Sequence, residues 1–266
     1  MSGVRAKKHL GQHFLTDRNI ARKIAMSLEA QTYSSVLEIG PGTGILTSYL
    51  IERGFDELKL IEIDREAADY ISREYKDVEL IRGDFLGLDL DEHFTGQMGI
   101  IGNFPYNISS QIMFRVLKYR DKVYELAGMM QKEVAERIVS PPGSKVYGIL
   151  SVLLQAYYNV EILFTVPPRV FRPPPKVQSA VIRLVRKEKQ IRDYDEQLFF
   201  RLVKVSFNQR RKIIRNSLKP LVDMSGIDDK ILTRRPEELD VVGFIELTRL
   251  VDEVINKNNN DHGRNN

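Results

Sequence analysis

The 266 residues include no cysteine. That excludes disulfides, a thiolate nucleophile and any metal or iron–sulfur site built on Cys. It also fits a reducing compartment, and the protein is expected in the cytoplasm. No apolar run approaches the ~18 residues of a membrane-crossing helix, so no membrane partner is expected. The basic opening Met1–Leu10 is not followed by an apolar h-region, which argues against a signal peptide. No internal repeat is visible, and no G-x-x-x-x-G-K-[ST] occurs, so a P-loop is excluded. Hydrophobic residues make up 42% of the chain and charged residues 29%, enough for a real core and against disorder of the whole. The net charge of +4 with a pI near 9.1 is compatible with a nucleic-acid partner without requiring one.

The chain alternates strand-like and helix-like segments. Asp17 or Thr16 is placed to cap a helix through about Leu28, with Ile20, Ile24 and Leu28 on one face. Ser35–Ile39 reads as a buried strand. It runs into the turn Gly40-Pro41-Gly42-Thr43-Gly44 and then a helix from Ile45. Glycines let the backbone approach a ligand, and the helix start adds oriented N–H donors. The spacing lacks the third Gly of a dinucleotide fingerprint. A second strand ends at Glu62-Ile63-Asp64, and Glu62 lies 22 positions after Gly40 (62 − 40). An acid about 20 residues on from the first Gly is placed for ribose hydroxyls in nucleoside-binding α/β folds, so Glu62 is the ligand candidate and Asp64 the helix cap. Asp84 follows a third strand and reads either as a turn residue or as an acceptor for an adenine amine.

A fourth strand ends in Asn103-Phe104-Pro105-Tyr106. Asn and Tyr at a strand tip suit a flat, hydrogen-bonding ligand such as a nucleobase. The Asn amide and the Phe104 carbonyl can accept from an exocyclic amine, and Tyr106 can stack, for ~1–3 kcal/mol per base. Read alone, the tetrapeptide equally fits a strand that stops at a Pro turn. Gly40, Glu62, Asp84 and Asn103 then fall at the ends of four successive strands, on one rim of a mostly parallel sheet.

Beyond a stiff Pro-rich loop, Pro167–Lys176, and a last strand, Val177–Arg186, the character changes. Lys187–Tyr194 is a charged linker, and the segments after it read as helices carrying Arg210, Arg211 and Lys212. That cluster is either a solvated face or a set of RNA phosphate contacts. The expected organisation is a Rossmann-like domain over 1–187, a small all-helical RNA-binding domain over 188–257 and a disordered tail over 258–266.

From Lys7 to about Leu250 the chain resembles the small-subunit ribosomal RNA adenine N6,N6-dimethyltransferases. The resemblance rests on Leu10-Gly11-Gln12-His13-Phe14-Leu15, Glu38-Ile39-Gly40-Pro41-Gly42, Glu62-Ile63-Asp64 and Gly83-Asp84. It extends through Asn103-Phe104-Pro105-Tyr106-Asn107-Ile108-Ser109, Met130–Ala135, Phe171-Arg172-Pro173-x-Pro175-Lys176-Val177, Arg210-Arg211-Lys212 and Arg235-Pro236-Glu237. It implies an α/β S-adenosylmethionine-dependent methyltransferase without a metal. Such an enzyme would act as a monomer on the small ribosomal subunit and dimethylate two adjacent adenosines in the terminal hairpin of its rRNA.

By similarity, His13 and Leu15 close over the donor. Gly40 lies at its methionine end, Glu62 at the ribose and Asp84 at the adenine amine, and Asn103 sits where donor and substrate meet. Tyr106 joins Asn103 at the reacting base, Phe171 is a second stacking candidate, and Arg210, Arg211 and Lys212 would meet RNA. Phe104 stands where the family often has Leu or Ile, and His13 where some members have Asn. Three other readings share parts of the pattern. They are the large-subunit adenine methyltransferases linked to macrolide resistance, a catalytically silent assembly factor, and a nicotinamide oxidoreductase; the missing third Gly argues against the last.

Overall fold

The computed structural model describes residues 4–29, 31–191 and 193–263, with side chains through Lys257. Among the described residues seven strands form the central sheet: β1 (Ser35–Ile39), β2 (Glu57–Glu62), β3 (Glu79–Arg82), β4 (Met98–Asn103), β5 (Val123–Gln131), β6 (Tyr158–Val166) and β7 (Ser179–Arg186). Their spatial order is β3-β2-β1-β4-β5-β7-β6. The first five pair in parallel, while β7 runs antiparallel between β5 and β6. The order reverses at β1 and β4, and such a switch point opens a crevice at the strands' carboxyl ends. After Ser35, β1 is apolar but for Glu38, and burying each of Val36, Leu37 and Ile39 contributes about 1.5–3 kcal/mol.

The helices are α1 (Arg18–Ala25), α2 (Ile45–Glu52), α3 (Arg65–Glu74), α4 (Leu90–His93) and α5 (Ser109–Lys118), followed by α6 (Lys132–Val139), α7 (Ile149–Tyr157), α8 (Glu196–Asn208), α9 (Ile214–Leu218) and α10 (Val241–Gly263). Asp17 caps α1, accepting from the Asn19 and Ile20 amides. α1 turns Ala21, Ile24 and Ala25 into a core shared with Val36, Leu46, Leu50, Ile101 and Met129. α3 starts at Asp64, whose side chain accepts from the Glu66 amide, and it buries Ala67, Ala68 and Ile71. The short α4 is not legible in the sequence pattern, since four residues carry too little periodicity. A two-residue ribbon, Phe14–Leu15 paired antiparallel with Phe171–Arg172, ties the N-terminal segment to the loop before β7. Among the described residues no helix is long and apolar enough to cross a membrane.

The chain divides into two compact units. One comprises the residues through Glu136 with Tyr158–Lys187; the other takes Arg137–Tyr157 and the residues from Glu188 on. The helical unit thus includes Arg137–Tyr157 besides the expected 188–257. Within that unit α7 packs on α8 and on α10, and this is what draws Arg137–Tyr157 into it. The backbone of 258–263, expected as disordered tail, continues α10; Arg264–Asn266 of that tail lie outside the described residues.

Candidate active site

The four strand-end residues meet. Gly40, Glu62, Asp84 and Asn103 all line one open cleft of about 840 Å³, solvent included, together with His13 and Tyr106. The cleft belongs wholly to the sheet-bearing unit.

Its floor is set by the turn after β1. Gly40, Gly42 and Gly44 hold φ of 68°, 56° and 76°, left-handed values that strain any residue with a Cβ. A Cβ added at Gly40 would meet no atom within 4 Å, so the backbone there faces open space. At Gly42 the ring of Phe14 would stand 2.8 Å from such a Cβ. Phe14 therefore lies over the glycine turn.

Glu62 is buried at the end of β2, and both its oxygens are pinned by main-chain donors. Oε2 accepts from the Gly42 amide at 3.1 Å and Oε1 from the Asp64 amide at 2.9 Å. Burial raises its pKa, an effect only partly offset by those two N–H groups and reinforced by the charge of Asp64. Asp64 caps α3 and also binds the N-terminal segment, with Lys7 Nζ 2.5 Å from Oδ1 and Gln12 Nε2 3.1 Å from Oδ2. Burial pushes the Asp64 carboxyl up, but Lys7, Gln12 and the Glu66 amide outweigh it and hold the pKa below the usual range. Asp84 is exposed; its Oδ1 accepts from the Leu86 amide at 2.9 Å, closing a turn.

At the tip of β4 the Asn103 amide donates from Nδ2 to the His13 carbonyl at 2.8 Å. This fixes the side chain with Oδ1 as its remaining acceptor. The Phe104 amide donates to the Met129 carbonyl at 2.9 Å, which fastens the turn to β5. Tyr106 is half-buried, its ring 5.2 Å from the His13 ring and tilted 32° to it. His13 Nδ1 is 2.7 Å from the Pro173 carbonyl. A floor of left-handed glycines with a buried carboxylate and an aromatic, acceptor-bearing wall thus face one opening.

Two candidates of the sheet-bearing unit are not brought to this cleft. Leu15 and Phe171, partners in the short ribbon, are 3% and 2% exposed and belong to the core. Contrary to the expectation for Phe171, its buried ring has no face on which a base can stack. Leu15 offers no side chain to the cleft. The signals for their burial lay in their pairing, 156 positions apart (171 − 15), which no local pattern reveals. No local pattern marks Phe14, Gln12 or Lys7 individually, although Gln12 and Phe14 sit inside the Leu10–Leu15 motif. In the helical unit, Arg211 and Lys212 are exposed, but Arg210 donates to the Ser144 carbonyl at 3.1 Å and lies 3.8 Å from Glu237. Arg215 likewise donates to the Met224 and Ile227 carbonyls.

Comparison with known proteins identifies the family. A family model for ribosomal RNA adenine dimethylase matches residues 3–240. A protein of Parabacteroides distasonis named ribosomal RNA small subunit methyltransferase A is 51% identical over 262 residues, covering 97% of this chain and 98% of its own length. The protein of the same name from Flavobacterium johnsoniae is 51% identical over 256 residues, with coverage of 95% and 98%. Among solved structures, a dimethyladenosine transferase from Plasmodium falciparum shares the fold (TM-score 0.75, 24% identity, 91% of this chain and 98% of that one). The 23S rRNA methyltransferase ErmE aligns with TM-score 0.66 at 25% identity, over 89% of this chain and 99% of its own. The fold is thus that of the Rossmann-like methyltransferases, and the chain belongs to the ribosomal RNA adenine dimethylase family.

Proposed function

We propose that this protein dimethylates N6 of two adjacent adenosines in the 3′-terminal hairpin of small-subunit rRNA, with S-adenosylmethionine as donor, and so takes part in small-subunit maturation. It would act as a monomer in the cytoplasm. The observation that carries it is the convergence of Gly40, Glu62, Asp84, Asn103 and Tyr106 on one cleft, in a chain 51% identical to a protein named ribosomal RNA small subunit methyltransferase A.

The residues fit such a donor. Glu62, its carboxylate oriented by two amides, has lone pairs left for the two ribose hydroxyls. Asp84 spends one oxygen on its own turn and keeps the other for the adenine amine. The left-handed Gly40 leaves room for close approach of the methionine end. His13 closes the rim beside Tyr106, and any part Leu15 plays falls to its main chain, because its side chain lies in the core.

The bound donor supplies an activated methyl on a sulfonium, so the chain need not provide a nucleophile. Its work is alignment. Asn103 Oδ1 and the Phe104 carbonyl would accept the two N6 hydrogens and favour a tetrahedral, nucleophilic nitrogen. Tyr106 would stack on the base once it is swung out of the RNA. After transfer the nitrogen is cationic and loses its proton to water; no general base is required. Arg211 and Lys212 on the helical unit would meet RNA phosphates.

The test supplies labelled donor and undermethylated small subunits and maps the label by nuclease digestion and mass spectrometry. Dimethyladenosine at two adjacent sites is expected, and Asn103→Ala should abolish it while weakening donor binding only modestly. Label appearing only on large-subunit RNA, supplied in a parallel reaction, would move the protein to the resistance-type enzymes. Tight subunit binding without label would make it an assembly factor, and full turnover by Asn103→Ala would remove Asn103 from the mechanism.

A further inference from the structure

Ser179 opens β7 and is fully buried, 0% exposed. It pairs with Gln131 of β5 and Val166 of β6, at the ends of both strands. Its Oγ lies 2.5 Å from the hydroxyl of Tyr106, across 73 residues of sequence. Tyr106 is otherwise held by a main-chain contact, its carbonyl accepting from Ser109 Oγ at 3.2 Å, and by the His13 ring on its flank. Its side chain has two rotatable bonds. A contact on the ring's flank and a hydrogen bond at its far end together define the plane of the ring.

We propose that Ser179 is a positioning residue for methyl transfer: through its hydrogen bond to the Tyr106 hydroxyl it fixes the plane on which the extruded adenine stacks. This rests on the stacking role assigned to Tyr106 above. Stacking and in-line transfer both depend on the tilt of the base, so a loosened platform misplaces the nitrogen without touching the donor pocket. Burial raises the Tyr106 pKa, with Ser179 only partly offsetting it, so the phenol stays neutral and works as a hydrogen-bonding group rather than a base. Without Ser179 the half-buried hydroxyl loses its partner and is drawn toward water. Ser179 has no part in the cleft lining itself.

The experiment is a double-mutant cycle on the full chain, with Ser179→Ala, Tyr106→Phe and the pair. The readout is single-turnover methyl transfer to undermethylated small subunits at saturating donor, with donor affinity and Tm followed alongside. Each single change should slow transfer by about tenfold, and the pair should be no slower than either alone. Donor affinity should be unchanged in all three. Tyr106→Phe removes the same bond without entering the buried serine site, which keeps the test informative if Ser179→Ala folds poorly. Wild-type transfer by Ser179→Ala, or losses that multiply in the pair, would overturn the proposal. Tyr106→Ala separates this inference from the reading beneath it. Normal transfer by that variant removes the stacking role, whereas its loss beside a fully active Ser179→Ala removes only the role of Ser179.

Discussion

Glu38 shows how one residue under the cleft carries an electrostatic signature of the fold. It is 1% exposed in the middle of an apolar strand, and Thr47 Oγ1 on α2 donates to its Oε2 at 2.7 Å. Burial pushes its carboxyl from an ordinary 4.5 up to about 8, Thr47 pulls it down somewhat, and the charge of Glu62 pushes it up again. The folded chain therefore keeps a proton that the unfolded chain releases. The stabilisation is complete below the unfolded pKa and is lost as pH rises through the folded one. Glu38→Gln keeps an acceptor for Thr47 and cannot ionise. Its Tm should stay near wild type at about pH 5 and exceed it at about pH 9, since each pKa unit corresponds to about 1.4 kcal/mol. Thermal melts of both proteins across that range check this; identical slopes would mean that Glu38 is ionised in the folded protein.

At the scale of elements, the β4–β5 pair builds the seat of the Asn103–Tyr106 turn. Gly102 and Gly128 stand opposite one another in register, and the Phe104 ring fills the space above them. A Cβ at Gly128 would lie 2.1 Å from that ring, and one at Gly102 would lie 2.5 Å from the Ile39 carbonyl. The ring is 1% exposed, so its bulk is accommodated by a glycine slot. Gly128→Ala should destabilise the protein by about 2 kcal/mol through overpacking, with Phe104→Leu restoring part of the loss. Urea unfolding of the two single variants and the double variant measures this. Additive losses would show that the two positions do not share the space.

At the scale of the molecule, the basic cluster of the helical unit divides by its contacts. Arg210 braces the unit from within through Ser144 and Glu237, while Arg211 and Lys212 stand exposed. Replacing Arg211 and Lys212 with Ala should weaken rRNA binding and lower the slope of log affinity against log salt by about 1 per phosphate contact removed. Donor affinity should not change. Arg210→Ala should lower Tm instead, because it removes one of the two donors to the Ser144 carbonyl, leaving the Tyr147 amide, and takes the cation away from Glu237. Titrations at several salt concentrations, with melts alongside, separate the two classes; an unchanged slope for the Arg211/Lys212 variant would place the RNA elsewhere.

Much of the architecture was legible because its causes are local. The alternation of apolar strands with capped helices, the glycines at positive φ after β1, Asp17 and Asp64 as caps, and acids or amides at strand ends all follow from short-range chemistry, and the structure has them where the sequence puts them. What the sequence could not reveal depends on which strand meets which. The insertion of β7 between β5 and β6 brings Ser179 under Tyr106, and the ribbon that pairs residues 14–15 with 171–172 turns Leu15 and Phe171 inward. Lys7 and Gln12 reach Asp64 across more than 50 positions. Burial of a side chain is a property of its neighbours in space, and for these residues the neighbours come from distant parts of the chain. Periodicity and turn chemistry act over a few residues only, so the tertiary structure alone decided which aromatic faces the cleft and which fills the core.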